Sequence, residues 1–189
     1  MLNNKLSIVT GVLMLAMLSD TAIAQSDFYV FGTFGNTNSD ISFNAQNRID
    51  GDNNSYALGA GYTVNRNFSL EAAYQDFGSQ NATTTCPPGF SCVALVLPLL
   101  TKADLTAYSL SAIGSIPLTD TFDVFGKVGI TSWDVDFKGI SSAFDTSGED
   151  LLYAAGLRWS IDDNWKISAE YEKVELGFDT VGIGVSYHF

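Results

Sequence analysis

From residue 27 onward, large apolar residues alternate with small or polar ones. The clearest stretch runs from Tyr56 to Val64, where Leu58, Ala60 and Tyr62 fill every second position between them. This period of two is typical of a strand with one apolar face, and no part of the chain after residue 24 shows sustained helical spacing. The pattern predicts eight strands, over 27–41, 54–64, 68–79, 104–118, 122–137, 150–161, 165–176 and 179–189.

The predicted connections between these strands are of two kinds, which alternate along the chain. Three are tight turns at 65–67, 119–121 and 162–164, rich in Asn and Asp, which tolerate turn conformations. Three others are long, over 42–53, 80–103 and 138–149, and the last, near 176–179, is short. Short turns at one end and long loops at the other are typical of bacterial outer-membrane barrels.

The two faces of the predicted strands differ in side-chain size and polarity. Aromatic residues of one parity flank the short turns, namely Tyr62, Phe68, Phe122, Trp159 and Trp165, and the terminal Tyr187 and Phe189 join them. The opposite parity is small or polar and carries four charged residues, Glu71, Lys127, Arg158 and Glu170. A soluble, lipocalin-like barrel would place the aromatics inside, but an eight-stranded interior is only just wide enough for side chains.

We therefore interpret the aromatics as a girdle at a membrane interface. The fold class that follows is all-β, an eight-stranded antiparallel transmembrane β-barrel with up-and-down topology. No apolar run after residue 24 approaches the roughly 20 residues of a membrane-spanning helix.

The N-terminus has the pattern of a cleaved secretory signal peptide over residues 1–24. Lys5 is followed by an apolar stretch over 6–18 and by the small-residue site Ala22-Ile23-Ala24. An N-terminal membrane helix is the alternative, although the apolar stretch is short for one. The barrel domain is then predicted over 25–189, exported to the outer membrane.

The charge balance excludes some classes of partner. Nine Lys and Arg against 21 Asp and Glu give a net charge of −12. Nucleic acids and a polybasic attachment to a membrane surface both need a basic face. We expect neither.

Two cysteines, Cys86 and Cys92, lie in the segment Cys-Pro-Pro-Gly-Phe-Ser-Cys. An exported chain enters an oxidising compartment, so the spacing favours a small disulfide loop. A metal site is the alternative, but the sequence has no second cysteine pair and no histidine nearby.

Four segments resemble the OmpA-like outer-membrane barrels. They are 62–78 (YTVNRNFSLEAAYQDFG), 117–129 (PLTDTFDVFGKVG), 156–171 (GLRWSIDDNWKISAEY) and 184–189 (GVSYHF). The resemblance implies periplasmic turns, extracellular loops and an assembly signal at Tyr187 and Phe189, read by the barrel-assembly machinery after delivery by periplasmic chaperones. It covers the barrel only, so peptidoglycan anchoring is not expected.

The same resemblance implies paired charges in the lumen at Glu71, Lys127, Arg158 and Glu170, although Arg158 stands where related barrels usually carry an acidic residue. An unpaired buried charge is costly, so these groups are expected to pair and plug the lumen. The alternative is a gate whose pairs exchange, which would make the protein a narrow channel for water, ions or small solutes. We predict a structural and surface-interaction role in the outer membrane, among its lipids and lipopolysaccharide.

Catalytic and cofactor sites are not predicted. Lipid-modifying barrels need a catalytic His or Ser near the outer rim, whereas the one histidine, His188, is the penultimate residue. The segment Asp50-Gly-Asp52-Asn-Asn-Ser55 lacks the later Glu of a calcium loop. We interpret it as a solvated acidic loop that at most shares divalent ions with lipopolysaccharide phosphates.

The long connection 80–103 is polar in its first half and apolar over 93–100. The apolar part could extend a strand, fold over the barrel mouth or form a surface patch for a ligand. Entry of an apolar solute, as in the OmpW-like barrels, would require an apolar lumen, and the predicted charges argue against it.

Overall fold

The computed structural model describes residues 27–44, 47–84, 101–138 and 146–189. The predicted signal peptide, the Cys86–Cys92 pair and the apolar segment 93–100 lie outside the described residues. The strands are β1 (Phe28–Asn44), β2 (Asn47–Asn65), β3 (Phe68–Thr84), β4 (Thr101–Pro117), β5 (Phe122–Lys138), β6 (Thr146–Ser160), β7 (Trp165–Val174) and β8 (Phe178–His188).

The eight strands form a closed antiparallel barrel in chain order, with β1 paired to both β2 and β8. Closure leaves no unpaired sheet edge along the paired lengths, which is the condition for strands to cross a membrane. The predicted fold class is therefore confirmed. The described residues contain no helix long and apolar enough to span a membrane.

The prediction of a long loop over 42–53 is wrong. β1 continues to Asn44 and β2 begins at Asn47, with Asn44 and Asn47 paired across the ladder. The Asn and Asp residues of this stretch suggested a loop, yet strands that rise above the membrane meet water and carry polar residues. The other two long connections also shorten, because β3 reaches Thr84 and β6 begins at Thr146.

The three tight turns lie at their predicted positions, at the end of the barrel opposite to the long connections. Side-chain oxygens stabilise them. Asp162 Oδ1 accepts hydrogen bonds from the backbone N–H groups of Asn164 and Trp165, at 2.8 and 2.7 Å. Asn65 Oδ1 accepts one from the N–H of Asn67 at 2.9 Å. These are the local bonds that make Asn and Asp favourable in turns.

The outward face is apolar between the turn end and the middle of each strand. The aromatics that flank the turns are exposed there, namely Tyr62, Phe68, Phe122, Trp159, Trp165 and Phe189. Several form ring pairs between neighbouring strands, such as Phe122 stacked on Trp159 at 5.9 Å between centroids. In water such exposure would be unfavourable, whereas in lipid it is the expected surface of a transmembrane barrel.

Towards the loop end, the polarity of the two faces is exchanged: outward positions become polar and inward positions become apolar. In β5 the outward positions change from Ile130 to Asp134, while the inward positions change from Lys127 to buried Trp133 and Val135. β3, β4 and β8 show the same reversal, with Phe77, Leu105 and Phe178 buried beside outward acidic residues. The reversal marks where the outer face leaves lipid for water.

Inward aromatic rings lie against glycines on the neighbouring strand. The register pairs Tyr29 with Gly61, Phe31 with Gly59, Phe125 with Gly156 and Trp133 with Gly148. In each case a Cβ added to the glycine would collide with the ring. Each glycine therefore gives an aromatic side chain room to lie along the inner wall of a narrow barrel.

Replacing Gly59 by alanine is expected to destabilise the barrel by about 1–3 kcal/mol, the usual cost of overpacking. The new Cβ would lie 2.5 Å from both the carbonyl oxygen of Ala72 and the ring of Phe31. Gly114 is the matched control, because a Cβ there meets nothing within 4 Å. Urea unfolding in detergent should show a loss for Gly59→Ala and none for Gly114→Ala; equal losses would contradict the packing argument.

Candidate functional site in the barrel lumen

A layer of charged side chains crosses the middle of the lumen, centred on Lys127. Its Nζ lies 3.2 Å from Glu71 Oε2, 3.4 Å from Glu170 Oε2 and 3.9 Å from Glu172 Oε2. The ammonium also lies 5.8 Å from the centroid of the Phe31 ring. Lys127 thus joins carboxylates from β3 and β7 across the interior.

Neutral polar groups complete this charged layer. Tyr29 donates its hydroxyl hydrogen to Glu71 Oε1 at 2.8 Å, and Gln75 donates from Nε2 to Glu172 Oε1. Glu71, Gln75 and Glu172 are all buried. A buried carboxylate needs such donors, because it can no longer bond to bulk water.

Three of the four lumen charges proposed from the sequence come together, and Arg158 does not. Arg158 stacks on the Phe125 ring, with its Cζ 4.8 Å from the centroid. In the register Arg158 pairs with Ser168, whereas Glu170 pairs with Gly156, so Arg158 lies one inward position nearer the periplasm. Among the described residues it makes no ion pair, although it lines the same cavity as Glu71, Lys127 and Glu170.

Sequence reasoning missed Glu172 and Gln75. The alternation of inward and outward positions could have identified both residues. Glu172 is two residues from Glu170 and Gln75 is four from Glu71, so each lies on the same inward face as its neighbour. Three carboxylates therefore surround one ammonium in this layer, whereas the sequence predicts two charges of each sign in the lumen.

A second layer, which is apolar, lies in the lumen on the extracellular side of the charges. Side chains from β3 to β8 pack together there: Phe77, Ala103, Leu105, Ala107, Trp133, Val135, Leu152, Val174 and Phe178. The rings of Phe77 and Phe178 stack at 4.9 Å between centroids. The predicted small or polar inward face therefore does not extend to the loop end of the barrel, where inward residues become apolar and the outward face meets water.

Two small cavities flank the charged layer. One, on the periplasmic side, is lined by Tyr29, Arg158, Ser168 and Ser186, among others, and the second by Thr33, Ser55, Gln75, Glu172 and Thr180, among others. Each has a volume of about 20 Å³, which is room for about one water molecule.

The chemistry available to these groups is limited. Among the described residues, no group of three or more His, Cys, Asp or Glu is placed to hold a metal ion. His188 Nε2 lies 3.4 Å from Ser186 Oγ, and its ring stacks on Tyr29 at 4.5 Å. This contact lies at the turn end of the barrel, opposite to the rim where lipid-modifying barrels need their catalytic groups.

Comparison with known proteins places this architecture in a family. The sequence matches the outer membrane protein beta-barrel domain over residues 8–189. The chain belongs to this family. It is an outer-membrane protein whose barrel crosses the membrane among lipids, so the predicted location is confirmed. No curated protein matches the sequence significantly.

Solved structures of outer membrane barrels share the fold. Neisserial surface protein A is 16% identical, covers 88% of this chain and 99% of its own, and has a TM-score of 0.64. OprG from Pseudomonas aeruginosa is 14% identical, with coverage of 87% and 97% and a TM-score of 0.60. Ail from Yersinia pestis, in complex with the heparin analogue sucrose octasulfate, is 20% identical, with coverage of 86% and 99% and a TM-score of 0.52.

Proposed function

We propose that this member of the outer membrane beta-barrel family is a non-enzymatic protein with a structural and surface-interaction role, and that its lumen is plugged. The observation that carries the proposal is the filling of the interior by two successive layers, one charged and one apolar. A solute would have to displace both layers to pass. Eight strands leave little room beside side chains of this size.

The charged layer supports the plug because its members hold one another in place. Lys127 contacts Glu71 and Glu170 at 3.2 and 3.4 Å, and separating buried partners exposes each charge to a medium that solvates it poorly. The apolar layer adds a closure that water enters unfavourably. Arg158 has no place in this closure and instead lies at its periplasmic side.

A narrow channel is the second candidate function. The observation that favours it is the similar distance from Lys127 to its two nearer carboxylates, with a water-sized cavity on each side of the layer. Exchange of partners would connect the cavities and admit water or a small ion. The apolar layer would still have to open at Phe77 and Phe178.

Permeability of liposomes separates the two functions. The plugged lumen predicts that vesicles containing the folded protein shrink in hyperosmotic buffer at the rate of protein-free vesicles, measured by stopped-flow light scattering. The same vesicles should exclude a small neutral solute such as glycerol to the same extent as protein-free ones. Faster water or glycerol flux that scales with the protein-to-lipid ratio would establish the channel and contradict the plug.

Surface interaction is proposed from the extracellular wall of the barrel. Above the apolar belt, the outward face carries acidic residues, namely Asp52, Asp104, Asp134, Asp136 and Glu149, in a chain of net charge −12. A cationic partner, or divalent ions shared with lipopolysaccharide, suits this surface. A polyanion like the heparin analogue bound to Ail does not suit this acidic surface, so we do not extend heparin-analogue binding to this chain.

The segment 80–103, with its predicted Cys86–Cys92 disulfide, remains the other proposed ligand surface.

A further inference from the structure

We propose that the cavity on the extracellular side of the charged layer binds one hard, readily dehydrated cation, sodium or calcium, beside Glu170, Glu172 and Gln75. The site lies between the inward faces of β1, β2, β3, β7 and β8. The site is independent of whether the lumen conducts, and it adds an ion to the layer of charged side chains.

The charge of the buried layer is the first argument. Glu71, Glu170 and Glu172 carry three negative charges against the single positive charge of Lys127, a formal excess of two. The negative charge of Glu172 is the least compensated by Lys127, because its carboxylate lies 3.9 Å from Lys127 Nζ, farther than the carboxylates of Glu71 and Glu170. Its residue is only 5% exposed, so bulk water cannot compensate it either.

An unpartnered amide oxygen at the same place is the second argument. Gln75 is 7% exposed and donates its Nε2 hydrogen to Glu172. A carboxylate only accepts hydrogen bonds, so the amide presents its nitrogen to Glu172 and keeps its oxygen free. That oxygen, Gln75 Oε1, has no hydrogen-bond partner in the described part of the chain, which is unusual for a buried acceptor.

The cavity wall supplies oxygen atoms of three chemical kinds. Glu170 and Glu172 contribute carboxylates, Gln75 contributes its amide, and Thr33, Ser55 and Thr180 contribute hydroxyl groups, the last two of which also bond to Thr37. Tyr56, Ala57 and Phe77 form an apolar part of the wall. Oxygen ligands without nitrogen or sulfur suit hard cations and disfavour zinc and copper. The small volume, about 20 Å³, favours an ion that gives up its hydration water, which magnesium does reluctantly. Sodium and calcium meet this condition.

The test measures ion binding by the folded chain in detergent micelles free of lipopolysaccharide. The protein is treated with a chelator and folded in N-methylglucamine chloride, and NaCl, CaCl₂ or MgCl₂ then replaces that salt at constant ionic strength. Glu172→Gln removes the least compensated carboxylate without changing its size, and Gln75→Glu adds one. Glu149→Gln is the matched control, since Glu149 is exposed on the outward face. A gel shift on heating verifies that each variant is folded.

We expect sodium or calcium, but not magnesium, to raise the thermal unfolding midpoint of the wild type and of Glu149→Gln. The dependence of the midpoint on ion concentration shows which of the two ions binds. Glu172→Gln should lower the apparent affinity at least about tenfold, because even changes behind a metal's direct ligands cost 10–100-fold, and Gln75→Glu should raise it. In ion-free buffer Glu172→Gln should unfold at a higher temperature than the wild type, since it carries one negative charge fewer.

Three results would overturn the proposal. One is a wild-type midpoint that does not respond to either ion, which would mean that a water molecule or a proton fills the role. Another is a response that Glu172→Gln retains in full. The third is a response lost in Glu149→Gln, which would place the ion on the outer acidic surface.

Discussion

Replacing Lys127 by glutamine is expected to lower the free energy of unfolding by about 3–5 kcal/mol, the cost of breaking a buried ion pair from one side. Lys127 lies within 3.9 Å of three carboxylates, of which Glu71 and Glu172 are buried and Glu170 is partly buried. Without it, Glu71 and Glu170 lose their nearest positive charge and repel each other. Urea unfolding in detergent micelles, followed by tryptophan fluorescence, measures the difference.

Two comparison variants decide whether burial is the reason. Lys173 and Asp179 form an exposed ion pair at 3.0 Å, and such pairs contribute little, so Lys173→Gln should leave the unfolding curve nearly unchanged. Adding Glu71→Gln to Lys127→Gln should recover part of the lost stability, because one uncompensated charge disappears with it. A loss as large in Lys173→Gln as in Lys127→Gln would contradict this account of the layer.

Deleting Phe189 is expected to leave most of the protein in the periplasm rather than in the outer membrane. Phe189 is exposed on the outward face, with its ring edge-on to Tyr187 at 5.2 Å between centroids. Its backbone N–H donates to the carbonyl of Phe28 at 3.2 Å, a bond at the very end of the ladder. We therefore propose that Phe189 acts mainly as an assembly signal for the barrel-assembly machinery, together with Tyr187. Cell fractionation and immunoblotting measure the change.

The matched control is Phe28→Ala, which removes an exposed aromatic ring at the same end of the barrel. It should reach the outer membrane normally. The chain lacking Phe189 should still fold in detergent and show a gel shift on heating, because its eight strands remain. Normal surface levels without Phe189, or an equal defect in Phe28→Ala, would mean that the residue is not read as a signal.

The membrane-spanning part of the fold could be predicted from the sequence because lipid imposes a simple rule on it. Outward residues must be apolar there, and the inward residues between Tyr56 and Val64 are small or polar, so this stretch shows its strand and its faces at once. The tight turns were equally clear, since residues such as Asp162 bond to the backbone of their own turn.

The extracellular part could not be predicted by the same rule. There the outward face meets water, so Asp134 turns outward and Trp133 inward, and the alternation seen in lipid reverses. Polar residues in 42–53 indicate a loop for this reason, although those over 42–44 and 47–53 belong to strands that rise above the membrane. The sequence pattern does not reveal the apolar layer around Phe178, because its residues have the same parity as the polar residues of the lumen.

Individual partners in the lumen depend on register, which the sequence does not specify. Arg158 and Glu170 share an inward face on neighbouring strands, yet the pairing places them one inward position apart. Arg158 lies outside the charged layer and Glu172 lies within it, and so the layer has an excess of negative charge.

Single-channel recording in planar bilayers tests the central claim, a lumen closed by two layers, most directly. The folded wild-type chain is added to the bilayer, its insertion is verified by recovery of the protein with the lipid, and a larger porin serves as the positive control. The account predicts a current indistinguishable from that of the bare bilayer. Discrete conductance steps that appear with the wild-type chain, and recur in independently folded preparations, would contradict it.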